Sequence, residues 1–252
     1  MADPRLIERL RAAHRILVVS GAGVSTASGI PDFRGPGGVW TRRRPVYYDE
    51  FLASEAARAE YWDYKLETWA IYQRARPNAL HVAVVALERA GKVLSVVTQN
   101  VDGLHRRAGT SPELLVELHG TDLLIECQGC HATSDPAPHF ERFKSTRQPP
   151  VCSCGGALKS ATISFGQSLR EADLERASAA AMDADLVLAL GSTLSVHPAA
   201  SIPLLAADRG TPYVIVNRGP TAHDDHPSVT LRLDGDVSAI IPAAVEAALA
   251  LK

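Results

Sequence analysis

The segment that most restricts the fold of this chain is an apolar run, Ile16–Ser20, that leads directly into a turn of small residues starting at Gly21. A strand followed by a glycine-rich turn and a helix start is an arrangement that binds nucleotide phosphates, because glycines allow a close approach of the backbone and free N–H groups attract negative charge. The dehydrogenase fingerprint is not met, since its third glycine position is Thr26. The turn continues into the polar extension 30–34, which a dehydrogenase would not need and which we therefore predict to be part of the reaction centre.

Short apolar runs alternate with helical patterns along most of the chain. Besides the first strand, the runs with strand character are 93–97, 186–190 and 213–216, and the helical patterns cover 79–90, 171–182, 201–207 and 239–251. This alternation predicts an α/β fold: a Rossmann-like parallel sheet with helices on both faces. Such sheets bind ligands at the carboxyl ends of their strands.

Two stretches interrupt the alternation. Residues 36–78 are rich in Arg, Tyr and Trp and have helical but no strand character, and residues 124–160 carry the cysteines and several prolines. We predict that these insertions form a second, smaller domain. The remaining segments, 1–35, 79–123 and 161–252, would form one discontinuous Rossmann-like domain.

The bulk composition excludes several classes of protein. A net charge of −2 over 252 residues argues against electrostatic binding to nucleic acid. No segment approaches the roughly 18 apolar residues that a membrane helix requires, and the first residues lack the layout of a signal peptide. We therefore expect a cytoplasmic protein with no nucleic-acid or membrane partner, and the sequence does not indicate its oligomeric state.

The four cysteines indicate a metal site. They fall in two close pairs: Cys127 with Cys130, and Cys152 with Cys154. In a chain without export signals such pairs favour metal over disulfides, and four thiolates suit a closed, structural zinc site. The second pair has only one spacer residue, but alternate residues on an extended strand face the same side, so both sulfurs can still bind one ion. Two alternatives remain open: His131 or His139 replaces one sulfur, or the cysteines are unrelated.

A polar cluster follows the run at 93–97. Gln99, Asn100 and Asp102 emerge together at the predicted carboxyl end of this strand, where they suit hydrogen bonds to ribose hydroxyls and to a carboxamide. The alternative is an ordinary Asn-Asp-Gly turn without a ligand.

A candidate general base follows in the sequence Glu-Leu-His-Gly, immediately before the cysteine insertion. His119 is well placed for this role because the pKa of an imidazole lies near working pH. An isolated histidine would more often be an ordinary residue satisfied by hydrogen bonds, and only the surrounding polar motifs favour the base.

Two further polar loops follow predicted strands. Segments 191–193 and 217–219 carry small and polar residues that fit the adenosine half of a dinucleotide. The run His223–His226 could suggest a second metal site, but we interpret it as a solvated loop because no other ligands lie nearby in the sequence.

Taken together, these motifs resemble the sirtuin family of NAD-dependent protein lysine deacylases. The matching segments, in family order, are Gly21–Ser25, Ser28–Gly35, Thr98–His105, Glu117–Gly120, the cysteine pairs, Phe165–Gln167, the loop 191–195 and Asn217–Gly219. The resemblance implies that the chain deacylates, and most commonly deacetylates, lysine side chains of proteins. It also implies NAD as cofactor, structural zinc, and release of nicotinamide and an O-acyl-ADP-ribose. The second cysteine pair is one residue shorter than the usual family spacing.

The resemblance also assigns roles to individual residues. His119 would be the catalytic base, with Asn100 and Asp102 holding the nicotinamide ribose. Around the nicotinamide it implies Ile30, Asp32, Phe33 and Arg34; along the rest of NAD, Gly21, Ala22, Gly23, Ser25, Gln99, Gly191, Ser192, Ser195, Asn217, Gly219 and Val237; beside the substrate peptide, Phe165, Gly166, Gln167 and Val196. The last group would flank the peptide as paired strands.

Two other functions are compatible with the same motifs. The first is a mono-ADP-ribosyltransferase or NAD hydrolase that uses the same cofactor site. The second is a non-catalytic protein that senses NAD, although the presence of both His119 and Asn100 argues against it.

Overall fold

The computed structural model describes residues 3–32 and 44–250. Its larger sheet has six strands: β1 (Ile16–Ser20), β2 (Val93–Thr98), β3 (Leu115–Glu117), β7 (Leu186–Leu190), β8 (Tyr213–Asn217) and β9 (Val229–Asp234). Neighbouring strands are parallel, in the order β3-β2-β1-β7-β8-β9. The chain leaves β1 toward one edge and returns to build the other, so the strand order reverses between β1 and β7. This confirms the predicted parallel α/β sheet and places its switch point beside the glycine turn.

Helices cover both faces of this sheet because its strands are apolar on both sides. In β1, Ile16 and Val18 contribute to one core, whereas Leu17 and Val19 contribute to the other. The first core is completed by α1 (Pro4–Ala12), α4 (Ala79–Arg89) and α9 (Val237–Leu249), and the second by α7 (Glu171–Asp183) and α8 (Ile202–Ala207). Full burial of each such side chain stabilises the fold by about 1.5–3 kcal/mol.

A smaller module packs beside the carboxyl ends of the large sheet. It contains α2 (Tyr48–Ala53), α3 (Glu55–Arg74), α6 (Pro136–Thr146) and an antiparallel sheet of β4 (Gly120–Cys127), β5 (Thr133–Ser134) and β6 (Leu158–Thr162). Trp62 is fully buried at its centre, with its ring 5.1 Å from that of Phe140 and its Nε1 donating to the Leu158 carbonyl at 3.0 Å. These contacts fix α3 against the small sheet. The small helix α5 (Leu104–Ala108) follows β2 in the large unit.

Three details differ from the sequence-based expectations or go beyond them. Strands β3 and β9 were not predicted, and the small sheet extends a few residues beyond 124–160 on each side. The division into domains at the predicted bounds stays a prediction. Cys152–Cys154 are not extended, which was the geometry considered for shared ligation: these residues form a tight turn in which the Gly155 amide donates to the Cys152 carbonyl at 2.9 Å. Among the described helices, none is long and apolar enough to span a membrane.

Candidate active site

A cleft of about 1090 Å³ lies between the carboxyl ends of the large sheet and the small module. One wall consists of segments that directly follow β1, β2, β7, β8 and β9, and the opposite wall comes from the N-terminal half of α3 and from residues 162–169. The cleft therefore occupies the place that parallel sheets use for ligands.

The floor of the cleft is formed where two loops touch at the switch point. A Cβ atom on Gly21 would lie 2.7 Å from the Cβ of Ser192, and one on Gly23 would lie 2.8 Å from the Cα of Gly191. Side chains cannot fit at either distance. The small residues of the first turn are thus required by the contact between the two loops as well as by any ligand above them.

The amides at the start of this turn are largely used inside the protein. The Gly23 amide donates to the Gly191 carbonyl at 2.8 Å, and the Val24 amide donates to the Gly21 carbonyl at 3.1 Å. The expectation that free N–H groups of the turn attract a phosphate therefore does not hold for these two groups. The segment continues as a short 3-10 helix, Ala22–Ser28.

His119 has a defined tautomer and an open second nitrogen. Its Nδ1 lies 3.0 Å from the Gln99 carbonyl, which can only accept, so Nδ1 carries the proton. The unprotonated Nε2 is then the atom available to the cleft, which the residue lines. Burial lowers the pKa of His119 below its ordinary value, although the hydrogen bond to Gln99 partly opposes this. The imidazole is therefore neutral and can accept a proton near neutral pH.

Asn100 is held in the cleft by two hydrogen bonds. Its Nδ2 donates to the Gly21 carbonyl and to the Ser25 hydroxyl, each at 3.1 Å, and the residue is buried. Because Nδ2 is fixed from below, the amide cannot flip without losing both bonds.

Asp102 supports the Asn100 side chain indirectly, through Ser25. One carboxylate oxygen accepts from Ser25 Oγ at 2.7 Å, the other accepts from the Leu104 amide at 2.8 Å, and the residue does not line the cleft. Burial raises the pKa of Asp102, while these two bonds act in the opposite direction. In this structure Asp102 orients Ser25, and through it Asn100.

A buried polar column supports the end of β2 from below. The backbone N–H of Asn100 donates to Thr98 Oγ1, which also accepts from Ser20 Oγ. Ser20 Oγ in turn contacts His105 Nε2 at 3.0 Å. The ring of His105 packs at 4.8 Å on that of His81. Burial lowers the pKa of His81 to about 4 and that of His105 to about 3. Both rings are therefore neutral parts of the core.

Most of the residues predicted for the site line this cleft. They are Gly21, Ala22, Gly23, Asp32, Gln99, Asn100, His119, Phe165, Gly166, Gln167, Gly191, Ser192, Val196, Asn217, Gly219 and Val237. Four predicted residues lie outside its lining: Ser25, Ile30, Asp102 and Ser195. Ile30 packs instead in a small apolar cluster with Tyr72 and Leu104. Phe33 and Arg34 lie outside the described residues.

The segment predicted to bind the peptide forms the rim between the two units. The Phe165 carbonyl accepts from the Tyr48 amide at 2.9 Å, and the two rings of Phe165 and Tyr47 lie 5.9 Å apart. This carbonyl is thus already paired within the chain. Next to it, the Ile163 amide donates to the His119 carbonyl at 2.8 Å, which connects the rim to His119.

The part of the cleft that α3 contributes contains no residue that was predicted individually for the site. Tyr61, Tyr64 and Lys65 face the cleft from this helix, and Lys65 Nζ lies 2.7 Å from the carboxylate of the buried Asp122. Sequence alone offers little signal for this wall, because the ion pair joins residues that are 57 positions apart.

The four cysteine sulfurs converge at the edge of the small module. All four lie within 4.8 Å of one another, with Cys127 and Cys154 at 3.5 Å and Cys130 and Cys152 at 3.8 Å, and no disulfide is formed. Four sulfurs around one zinc ion at 2.3 Å would be separated by about 3.8 Å, so the set fits a tetrahedral thiolate site.

Two further features of the cluster favour thiolates and a single ion. Amide groups of Cys130 and Gly129 donate to Cys127 Sγ and lower the pKa of that thiol to about 6, whereas contacts with the neighbouring sulfurs raise the pKa of the Cys154 thiol. A Cβ atom on Gly156 would lie 2.6 Å from the same sulfur, so glycine keeps this space open. The histidine alternative is not supported, because His131 contacts Glu126 and His139 contacts Ser134.

Comparisons with known proteins agree with this geometry. A sequence profile of the Sir2 family matches residues 21–198. The chain is 43% identical over 230 residues to the NAD-dependent protein deacetylase 1 of Bradyrhizobium diazoefficiens and 41% identical over 231 residues to the NAD-dependent protein deacetylase of Rhodopseudomonas palustris, in both cases over 91% of each chain. Among solved structures, one described as Sir2-p53 peptide-NAD+ superposes with a TM-score of 0.88 at 32% identity, covering 98% of each chain.

The two relatives match over 91% of the chain, and the range of the family profile spans both glycine loops, His119 and the four cysteines. The resemblance found in the sequence is therefore confirmed, and the chain belongs to the Sir2 family.

Proposed function

We propose that this protein is an NAD-dependent protein lysine deacylase, acting chiefly on acetylated lysine. The observation that carries the proposal is the pairing of His119 and Asn100 in one cleft at the switch point, with His119 Nε2 available as a base. The family membership and the names of the relatives support the same reaction.

NAD is consumed in this reaction and is therefore a substrate. Its bond from ribose to nicotinamide joins a cationic ring, so nicotinamide can leave as a neutral molecule while the acyl-lysine carbonyl oxygen bonds to the anomeric carbon. His119 then accepts the proton of a ribose hydroxyl, and that oxygen attacks the imidate carbon. Addition of water and cleavage of the carbon–nitrogen bond release free lysine and an O-acyl-ADP-ribose.

Each of the remaining cleft residues would contact one of the two substrates, NAD or the acyl-lysine peptide. We assign the adenosine half of NAD to Asn217, Gly219 and Val237, its phosphates to the floor at Gly21 and Ser192, and the acyl-lysine peptide to the rim at Phe165–Gln167. Ser25 and Asp102 would position Asn100 rather than contact NAD, because their oxygens bond within the protein. Asp32 also lines the cleft, and we assign the nicotinamide to it.

The zinc ion would be structural. Cys127, Cys130, Cys152 and Cys154 would hold it with all four positions filled, which leaves no site for a substrate. The ion would hold the segments of the small module together and so keep α3 and the rim in place. The four reduced cysteines also support a cytoplasmic setting.

The decisive experiment combines purified protein, NAD and an acetyl-lysine peptide. A deacylase releases one nicotinamide for each lysine that it frees, and mass spectrometry detects O-acetyl-ADP-ribose. Nicotinamide release without loss of the acetyl group would instead support the ADP-ribosyltransferase or NAD hydrolase alternative. Absence of both products with NAD and a panel of acyl peptides would refute the enzymatic proposal.

A further inference from the structure

Arg232 on β9 makes an unusual set of contacts for a residue outside the cleft. Its guanidinium donates to the carbonyls of Asn217, Leu233 and Gly219, and its Nε donates to Asp224 at 2.8 Å. The side chain is 21% exposed and does not line the cleft. The planar group thus connects β9 to the back of the loop that follows β8.

Three further contacts join this loop to β9 and the turn after it. The Gly219 amide donates to Asp234 at 2.8 Å, the Gly235 amide donates to the Asn217 carbonyl at 3.1 Å, and Arg218 forms an exposed ion pair with Asp236 at 3.0 Å. Residues 217–220 have their other side in the cleft. Arg232 therefore contacts the loop from behind, at the same residues that face the ligand space.

Asp224 connects this support to the loop that follows β7. Its carboxylate accepts from the Thr221 amide at 3.0 Å as well as from Arg232, and the neighbouring Ala222 amide donates to the Thr193 carbonyl at 2.9 Å. Thr193 belongs to the loop after β7, which also lines the cleft. The loops after β7 and β8 are thus joined through residues 221–224.

We infer that Arg232, oriented by Asp224, is a positioning residue that fixes the loop 217–219 in the shape that receives the adenosine half of NAD. The inference rests on the proposed function, since it assumes that this end of the cleft binds the adenosine. It predicts an effect on dinucleotide affinity and not on the chemical step, because the contacts lie on the far side of the loop from His119.

The type of residue matters in this position. The guanidinium presents a flat fork that reaches the carbonyls of Asn217 and Gly219 through different nitrogens. A lysine would keep the charge but not the fork, so it should restore the loop only in part.

The test measures binding of ADP-ribose by titration calorimetry, together with the kcat and KM values for NAD and for an acetyl-lysine peptide. For Arg232→Met we expect the Kd of ADP-ribose and the KM of NAD to rise about tenfold, the equivalent of one charged hydrogen bond. Arg232→Lys should lie between this variant and the wild type. The kcat at saturating NAD and the KM of the peptide should change less than twofold. Arg209→Met, which removes an exposed arginine elsewhere, is the matched control and should behave as wild type.

Two outcomes would overturn the inference. One is a Kd and a KM for Arg232→Met within twofold of the wild-type values. The other is an equal loss in kcat and in peptide binding, which would indicate a general loss of structure. If Arg232→Met does not fold, Asp224→Asn keeps the arginine and should still raise the Kd of ADP-ribose about threefold; an unchanged Kd would also refute the role. Failure of the wild-type protein to bind ADP-ribose or NAD would instead refute the proposed function.

Discussion

The ammonium of Lys65 and the carboxylate of Asp122 form a buried ion pair in the wall of the cleft, with Nζ 2.7 and 2.9 Å from the two carboxylate oxygens. The rings of Tyr61 and Tyr64 lie 5.7 and 5.8 Å from the same ammonium. Burial alone would lower the pKa of Lys65, but attraction to Asp122 outweighs it and raises the pKa above its ordinary value. The pair joins α3 to β4, the strand that follows His119, and so holds two elements of the small module together beside this residue.

Removing one partner of this pair should destabilise the protein strongly. For Asp122→Asn we expect a loss of about 3–5 kcal/mol in the free energy of unfolding, because a buried ammonium would lose its counter-charge. The double variant Lys65→Met with Asp122→Leu should be more stable than Asp122→Asn, because no charge then remains buried. Urea denaturation measures the free energy of unfolding of both variants. Equal stability of Asp122→Asn and the wild type would show that the pair is not buried as described.

Replacing the base should affect turnover more than binding. For His119→Ala we expect deacylation to fall by about 10²–10⁴-fold, the usual contribution of a general base, with the Kd of NAD little changed. His131→Ala, which removes an exposed histidine beside the cysteine cluster, serves as the control and should retain full activity. Undiminished deacylation by His119→Ala would eliminate this residue as the base.

The pH dependence of the reaction should reflect the burial of His119. Since burial lowers its pKa, the imidazole remains neutral, and active as a base, to a lower pH than a free histidine. We expect kcat/KM for the peptide to decline on the acid side with an apparent pKa below the usual value of about 6.5. A rate profile with the acid limb above that value would contradict the assignment.

Acid should destabilise the fold through the pair His81 and His105. Their pKa values of about 4 and about 3 lie below that of an unfolded histidine, so the unfolded chain binds protons that the folded chain does not. Their contribution to stability is therefore complete above about pH 6.5 and is lost as the pH falls toward 4, at up to about 1.4 kcal/mol per pH unit for each ring. Unfolding titrations from pH 7.5 to 4.5 should show this slope, and His105→Asn should reduce it. His14→Asn, at an exposed position, should leave the slope unchanged; an identical slope in His105→Asn would disprove the linkage.

Loss of zinc should unfold the small module first. A chelator, or Cys127→Ala, should remove about one zinc per chain and expose the buried Trp62, because metal binding and folding of such a site are coupled. Elemental analysis and the red shift of tryptophan fluorescence measure these effects. Ser153→Ala, between two of the cysteines, should retain the metal. A metal-free protein with unchanged fluorescence and thermal stability would show that the cluster is not a structural site.

Much of the large sheet and of the cleft could be predicted from the sequence because both depend on local patterns. Apolar runs such as Leu186–Leu190 are buried throughout, and the residues after them meet at one edge because the strands are parallel. Strand β9 lies at the edge of the sheet and gives a weaker signal, because Val229, Leu231 and Leu233 alternate with polar residues, and it was not predicted.

The remaining features depend on side-chain direction and on contacts between distant segments. Asn100 and Asp102 belong to one motif, but only the first lines the cleft, because Asp102 turns back to Ser25. The helix α3 buries Trp62 in one core and presents Lys65 to the cleft, so it shows no simple apolar stripe. In the same way, the turn at the second cysteine pair depends on Gly155 and Gly156, which the spacing of the sulfurs does not reveal.

The contact between the two glycine loops has a practical consequence for engineering. Gly21, Gly23 and Gly191 meet backbone to backbone, at distances that exclude any added carbon. A mutant library that diversifies these positions one at a time would yield almost only misfolded clones, because a side chain at one glycine would strike the facing loop. New ligand specificity in this scaffold should therefore be sought at other residues that line the cleft, such as Tyr64 on α3, where an exchange does not separate the central strands.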